Sequence, residues 1–234
     1  IGDCCHAVAL VQALQRQWPT TEITWIMGKV EASLLGDLPG IEVIPFDKKL
    51  GWRGYLQVWR QLKGRRFDAL LHLQSALRAS LLSIGIRAGH RLGFDAERAG
   101  DGQRWLTNHK VTSPASPHVL DGFMAFAREL GVQDLTPSWH IPTSSTDDEW
   151  ASQHLDKSRP TLLIAPAASK PFKNWTTAGY ATLADHAAER GYQVVLCGGP
   201  SALEKTMAQE ILTLCQHKPD NLIGQPSLKQ LLAL

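Results

Sequence analysis

Along the chain the hydrophobic positions switch repeatedly between the 3.6-residue period of a helix and the alternating or unbroken apolar run of a strand. Residues 6–18 place Val8, Val11 and Leu14 on one helical face before Pro19, and residues 22–27 alternate as a strand that ends at Gly28. The same rhythm predicts helices over 30–35, 52–62 and 75–84, and strands over 41–45, 69–73 and 90–94. A helix over 118–130 stops at Gly131. Residues 135–145 are rich in Pro, Ser and Thr and carry no helical period, as expected of a linker. Beyond it Thr146 reads as the cap of a helix with Asp147, Asp148 and Glu149 in its first turn. Strands over 161–165, 193–197 and 221–223 then alternate with helices over 176–190 and 201–215, and Ser227 opens a last helix.

Strands that alternate with helices imply parallel sheets. The expected architecture is α/β, in two Rossmann-like units over residues 1–142 and 143–234. Ile1-Gly2-Asp3 reads as the end of a strand and the start of a loop. The second unit holds too few strands for a doubly wound sheet, so it is expected to be incomplete at its carboxyl end. Trp52, Tyr55, Trp59 and Leu62 share a helical face and read as packing rather than a ligand cage. The polar segment 95–117 is long for a connection, and loops of that length often carry substrate contacts.

Composition narrows the picture. A chain of 234 residues with 44% hydrophobic and 20% charged residues is an ordinary globular protein rather than a disordered one. A formal net charge of +2 does not argue for nucleic acid, and none is expected as a partner. Cys4, Cys5, Cys197 and Cys215 have neither zinc nor redox spacing, which favours reduced structural thiols and a cytoplasmic location. No run is long and apolar enough to span a bilayer, so membrane contact would be peripheral. No Walker loop, GxGxxG or metal-ligand cluster is present, and no cofactor is expected.

The candidate chemistry centres on Ala165–Trp175, between a strand and a helix, with small residues, Ser169, Lys170 and Lys173. Such a loop reads either as a plain connection or as a cradle for a nucleotide diphosphate. In the second case Lys173 neutralises the departing charge, while Ser169 and Thr177 donate to phosphate oxygens. Gly198-Gly199-Pro200 would permit close backbone approach to a nucleotide. Asp3 reads either as a general base or as a helix cap. His6, one turn on, reads as packed or solvated. Lys63, Arg65, Arg66 and Arg78, with Arg87 and Arg91, read either as solvated surface or as a basic set for an anionic acceptor.

Several segments together resemble a known family. They are Ile1-Gly2-Asp3 leading to His6-Ala7-Val8, Arg66–Gln74 with Arg78, His90-Arg91-Leu92-Gly93-Phe94, and Lys173-Asn174-Trp175 before a helix. In order and spacing they resemble glycosyltransferase family 9, which contains the ADP-heptose:lipopolysaccharide heptosyltransferases. The resemblance implies a GT-B fold, with acceptor on the first domain and nucleotide sugar on the second. It implies Asp3 as general base, Lys173 on the donor phosphates and, by a looser match, Glu204 on the donor ribose. The implied reaction is inverting transfer of heptose from ADP-heptose to the inner core, Kdo or heptose, of lipopolysaccharide. The implied acceptor, phosphorylated Kdo-lipid A, gives the first-domain arginines a use and the protein a peripheral position at the inner membrane. The family's further donor motif of Asp, Thr or Ser, Gly and His does not occur after Asn221, so residues 1–234 alone are expected to transfer little. A GT-B transferase for another nucleotide sugar, and a non-catalytic nucleotide-sugar-binding module, are the alternatives.

Overall fold

The structure, a computed structural model, describes every residue of the chain except Asp101 and Ser169. It separates into two compact units, Ile1–Ile141 and Pro142–Leu234.

The first unit runs α1 (Gly2–Gln17), β1 (Ile23–Gly28), α2 (Lys29–Leu35), β2 (Ile41–Phe46), α3 (Trp52–Gln61), β3 (Phe67–Leu71), α4 (Leu77–Ile84), β4 (Ala88–Gly93), α5 (Gln103–Leu106), β5 (His109–Lys110) and α6 (Val119–Glu129). β1 pairs in parallel with β2, Ile23 opposite Ile41, and β3-β4-β5 form a second parallel sheet with Ala69 opposite His90. One apolar cluster joins α1 and α6, through Leu10, Ala13, Phe123 and Phe126, to Ile23, Trp25, Leu71 and Leu92. A second joins α3 and α4, through Val58, Leu62 and Leu82, to Ile26, Ile44 and Leu70. Both clusters draw on both sheets, so the helices cover two faces of one strand layer, as parallel strands require.

The second unit runs α7 (Ser145–His154), β6 (Thr161–Ile164), α8 (Thr177–Glu189), β7 (Gln193–Leu196), α9 (Ala202–Leu214), β8 (Asp220–Asn221) and α10 (Leu228–Ala233). The sheet order β6-β7-β8 is parallel throughout. Every residue of β7 is buried, which explains the apolar run over 194–196, and the buried Gln193 that opens the strand is held by hydrogen bonds from Asp156 N–H and to His154 O and Asp220. Ala181 and Ala184 of α8 meet Ala208 and Ile211 of α9 over Ile164 and Leu196.

Three local expectations are corrected. The chain begins in a helix, not a strand end: Ile1 is the N-cap of α1, makes no side-chain cap bond, and Asp3 lies in the first turn. The cap reading of Asp3 therefore falls. The cap of α7 is Ser144 rather than Thr146, in a reciprocal box with Asp147. The 95–117 segment is a set of short elements rather than a free loop. Asp95 starts it by accepting from the backbone N–H groups of Glu97 and Arg98 and pairing with the Arg98 guanidinium at 2.8 Å.

Candidate active site

In parallel sheets the chain leaves each strand at its carboxyl edge, where loops and helix amino termini gather and ligands bind. The residues proposed from the sequence fall unevenly on those edges.

In the second unit the chain leaves β6 through Ala165–Thr176 and enters α8. Asn174 braces this loop, its Oδ1 accepting from Ala168 N–H at 2.7 Å and its amide reaching Met207 Sδ at 3.4 Å. Lys173 sits exposed in a 3-10 turn over Pro171–Lys173, closed by its own N–H donating to Lys170 O at 3.0 Å. Thr176 caps α8 by accepting from Gly179 N–H at 3.1 Å, leaving Thr177 as the first helical residue. The Trp175 ring packs over Gly179, where a Cβ would stand 2.6 Å from it and push the indole aside. The stretch contains two lysines and no carboxylate, so nothing of its own neutralises the positive helix end. Ser169 lies outside the described residues.

The next connection, Gly198-Gly199-Pro200 into α9, is built the other way. Glu204 turns back on it: Oε1 accepts from Gly199 N–H at 2.6 Å, and Oε2 accepts from the Ser201 hydroxyl at 2.6 Å and its N–H at 3.3 Å. A Cβ at Gly198 would stand 2.8 Å from the same carboxylate, so the room left by the glycine holds Glu204. Burial alone would raise the pKa of Glu204, but hydrogen bonds from Ser201 and Gly199 outweigh it and hold the carboxyl below the usual glutamate value.

In the first unit the start of α1, the loop after β3 and the segment after β4 share the carboxyl edge. Asp3 is exposed. Beside it Cys4 is inert, its pKa pushed up to about 11 by burial and then by the Glu31 carboxylate. His6 packs its ring on Phe123 and edge-on to His118, at 6.5 and 5.9 Å.

A brace that has no sequence signature lies deeper. Gln103, fully buried, donates from Nε2 to His72 O and His72 Nδ1, each at 2.8 Å, and accepts Phe94 N–H at 3.0 Å on Oε1. The Phe94 bond fixes the amide orientation, so Nδ1 of His72 is the acceptor and its proton sits on Nε2. Burial, the main cause, pulls the His72 pKa below the usual histidine value, which keeps the ring neutral. The brace ties the chain leaving β3 to the chain leaving β4.

The basic set divides. Arg78, exposed in the first turn of α4, lies on the carboxyl edge with Asp3. Lys63, Arg65 and Arg66 lie between α3 and the start of β3, at the opposite, amino edge. Strands of five or six residues put roughly 15–20 Å between the two edges. Arg65 is also engaged there, pairing with Glu42 at 2.7 Å and donating to Thr24 Oγ1 at 2.8 Å. With Arg66, Arg87 and Arg91 it lines a hollow of about 500 Å³ on that amino edge. Arg91 is structural, its guanidinium donating to the carbonyls of Leu106, Ile86 and Ser83.

Comparisons with known proteins fit both units. The profile of Glycosyltransferase family 9 (heptosyltransferase) matches residues 55–234. The lipopolysaccharide core heptosyltransferase OpsX of Haemophilus influenzae is 47% identical over all 234 residues, which span 67% of its length. Among solved structures, the glycosyl transferase family 9 protein of Veillonella parvula superposes with a TM-score of 0.85 at 23% identity, covering 99% of this chain and 69% of that one. The E. coli ADP-heptose lps heptosyltransferase II gives 0.74 at 22% identity, covering 98% and 72%. Two parallel-stranded units with their loops at the carboxyl edges are the parts of a GT-B fold, and the family match spans most of the chain, so this protein belongs to glycosyltransferase family 9.

Proposed function

We propose that the protein is a heptosyltransferase of the lipopolysaccharide core, moving heptose from ADP-heptose to a Kdo or heptose residue of the inner core with inversion at the anomeric carbon. One observation carries this reading: the 47% identity to the Haemophilus core heptosyltransferase runs through the whole chain. In the proposed reaction Asp3 takes the proton of the acceptor hydroxyl as its oxygen forms a bond to the anomeric carbon. The bond from that carbon to the ADP oxygen breaks, and the electron pair leaves on ADP. Lys173 and the amino terminus of α8, with Thr177, receive the charge that builds on the diphosphate.

Acceptor binding divides in this reading. Arg78 faces the carboxyl edge and serves the phosphorylated Kdo-lipid A acceptor, whereas Lys63, Arg65 and Arg66 belong to the far edge and have another use. Glu204 serves the donor only by giving up its bonds to Gly199 and Ser201. Among the described residues no helix is long and apolar enough to cross a membrane, and we place the enzyme peripherally at the cytoplasmic face of the inner membrane.

The test is heptose transfer from ADP-heptose to Kdo-lipid A by a chimera in which residues 1–234 replace the matching two-thirds of the Haemophilus relative. Asp3→Asn is expected to lower kcat by about 100- to 10,000-fold, the range for loss of a general base. An unchanged kcat removes Asp3 from that role. Turnover of a different nucleotide sugar, with none of ADP-heptose, replaces the donor.

A further inference from the structure

Helix α4 buries Leu82 in the second cluster but turns its other large apolar residues outward. Ser80 and Ser83 are 1% and 4% exposed, whereas Leu77, Leu81 and Ile84, on one stripe at spacings of four and three, are 57%, 37% and 57% exposed. A surface helix normally shows the reverse. The polar inner face has a local cause. The carbonyls of Ser83 and Ile86 accept from Arg91 at 2.8 Å each, and Ser83 Oγ donates to Ser80 O at 2.8 Å, so the carboxyl end of α4 is built around a guanidinium.

The patch continues onto α3. The Trp59 indole donates to Leu82 O at 2.9 Å and holds the two helices together. Trp52, 60% exposed, meets Trp59 edge-on at 5.3 Å, and Leu50, just before the helix, is 44% exposed. From Lys48 to Arg87 the sequence holds nine basic residues and one acidic residue, Asp68, which belongs to β3. Lys48, Lys49, Arg53, Arg60, Lys63, Arg66, Arg78 and Arg87 therefore lie on or next to α3 and α4 with no carboxylate on either helix, although Asp47 and Glu31 stand near Lys49 and Lys48.

We propose that the outer face of α3 and α4 is a docking surface for an anionic lipid bilayer, on which both helices lie in the plane of the headgroups. The exposed leucine, isoleucine and tryptophan side chains enter the acyl boundary, and the basic residues at both ends pair with lipid phosphates. This also gives Lys63 and Arg66 a use at the edge remote from Asp3. A second copy of the chain fits the face poorly, because a two-fold contact would press one basic rim against the other. The inference deepens the peripheral reading given above and rests on it only for the direction from which a lipid-borne acceptor arrives.

The test uses the 234-residue chain with vesicles of phosphatidylcholine alone or mixed with phosphatidylglycerol, read by co-sedimentation. Binding is expected with phosphatidylglycerol, weakening steeply with salt. Leu81→Ser with Ile84→Ser, at exposed positions that leave the fold intact by circular dichroism, weakens it about tenfold. Arg53→Ala and Arg60→Ala each weaken it about fivefold. Equal partition of the double serine variant and the wild type overturns the proposal, as does equal binding to neutral vesicles. Concentration-dependent dimerisation abolished by the same double variant overturns it in favour of a self-interface. ADP binding, measured on the chimera whose Haemophilus remainder completes the donor site, separates this outcome from failure of the transferase reading: ADP bound by the chimera with no vesicle binding by the chain sinks only the docking face, and vesicle binding with no ADP bound by the chimera sinks only the donor site.

Discussion

Two connections in the second unit leave neighbouring strands and enter neighbouring helices, yet their anion chemistry is opposite. After β6 the chain takes a long loop, caps α8 with a threonine hydroxyl, and brings two lysines and no acid. After β7 it takes a short glycine turn and fills the amino terminus of α9 with its own Glu204. A helix amino terminus attracts negative charge in either case. The α9 terminus has satisfied that demand from within the chain, whereas the loop into α8 brings no carboxylate, and it is there that we propose the donor diphosphate. The lesson is that glycines at a strand end do not by themselves mark a nucleotide site; what fills the space they leave does.

The sharpest way to break this contrast is to reverse the charge at the open end. Lys173→Glu is expected to weaken ADP binding at least about 100-fold, since it removes a charge-assisted hydrogen bond and adds a like charge beside the diphosphate. Lys205→Glu, at an exposed position on α9, is expected to stay within about twofold. Isothermal titration of ADP into the chimera that carries the rest of the donor site reads both. If the two substitutions weaken ADP equally, the α8 loop is not the phosphate site and the contrast between the connections is lost.

The sequence made part of this visible and hid the rest for definable reasons. The parallel alternation was legible because the short apolar run of β7 stands between two 13-residue helices, and the loop before α8 was legible because its lysines and small residues are contiguous. Glu204 was legible as a residue, but its partners were not. The Ser201-x-x-Glu204 spacing is a capping-box signal in its own right, and it competes with the ribose reading suggested by family likeness. Gln103 was invisible, since a glutamine in a polar segment has no periodicity and its three partners lie about ten and thirty residues away in the chain. The edge on which Lys63, Arg65 and Arg66 fall could have been read from order alone, because they directly precede a strand, whereas Arg78 follows one. The inverted burial of α4 had no such signal: alternating serines and leucines give a helical stripe whose inward side the sequence does not name.

A smaller effect is expected at the closed end, and in a different observable. Glu204→Ala removes acceptors for Gly199 N–H and for Ser201, and should lower the stability of the chain by about 0.5–2 kcal/mol, as other lost caps do. Urea unfolding at neutral pH measures it. ADP affinity of the folded variant is expected to change less than about twofold. A stability loss with unchanged ADP affinity makes Glu204 a structural plug; a large loss of affinity with little change in stability makes it a ribose ligand instead, and erases the difference between the two connections.

The smallest predicted effect follows from protonation of the same carboxylate. Its folded pKa lies below the ordinary glutamate value of about 4.3. Because the native state favours the ionised form, the extra stability is complete above the ordinary value and is lost as pH falls through the lower, folded value. Glu204 is only partly shielded, so solvent screening keeps the contribution under about 1 kcal/mol. Other carboxylates with lowered pKa, such as Asp95 and Asp147, weaken the fold over similar acidity, but they do so in wild type and variant alike. The informative quantity is therefore the difference between wild type and Glu204→Gln, taken from unfolding midpoints at neutral pH and again below pH 4.3. Wild type should lose its advantage on acidification while the glutamine variant, which cannot titrate at that position, follows only the remaining carboxylates. Parallel curves would mean that Glu204 stands free of its box in solution, which would leave the α9 terminus as open to an anion as the α8 terminus.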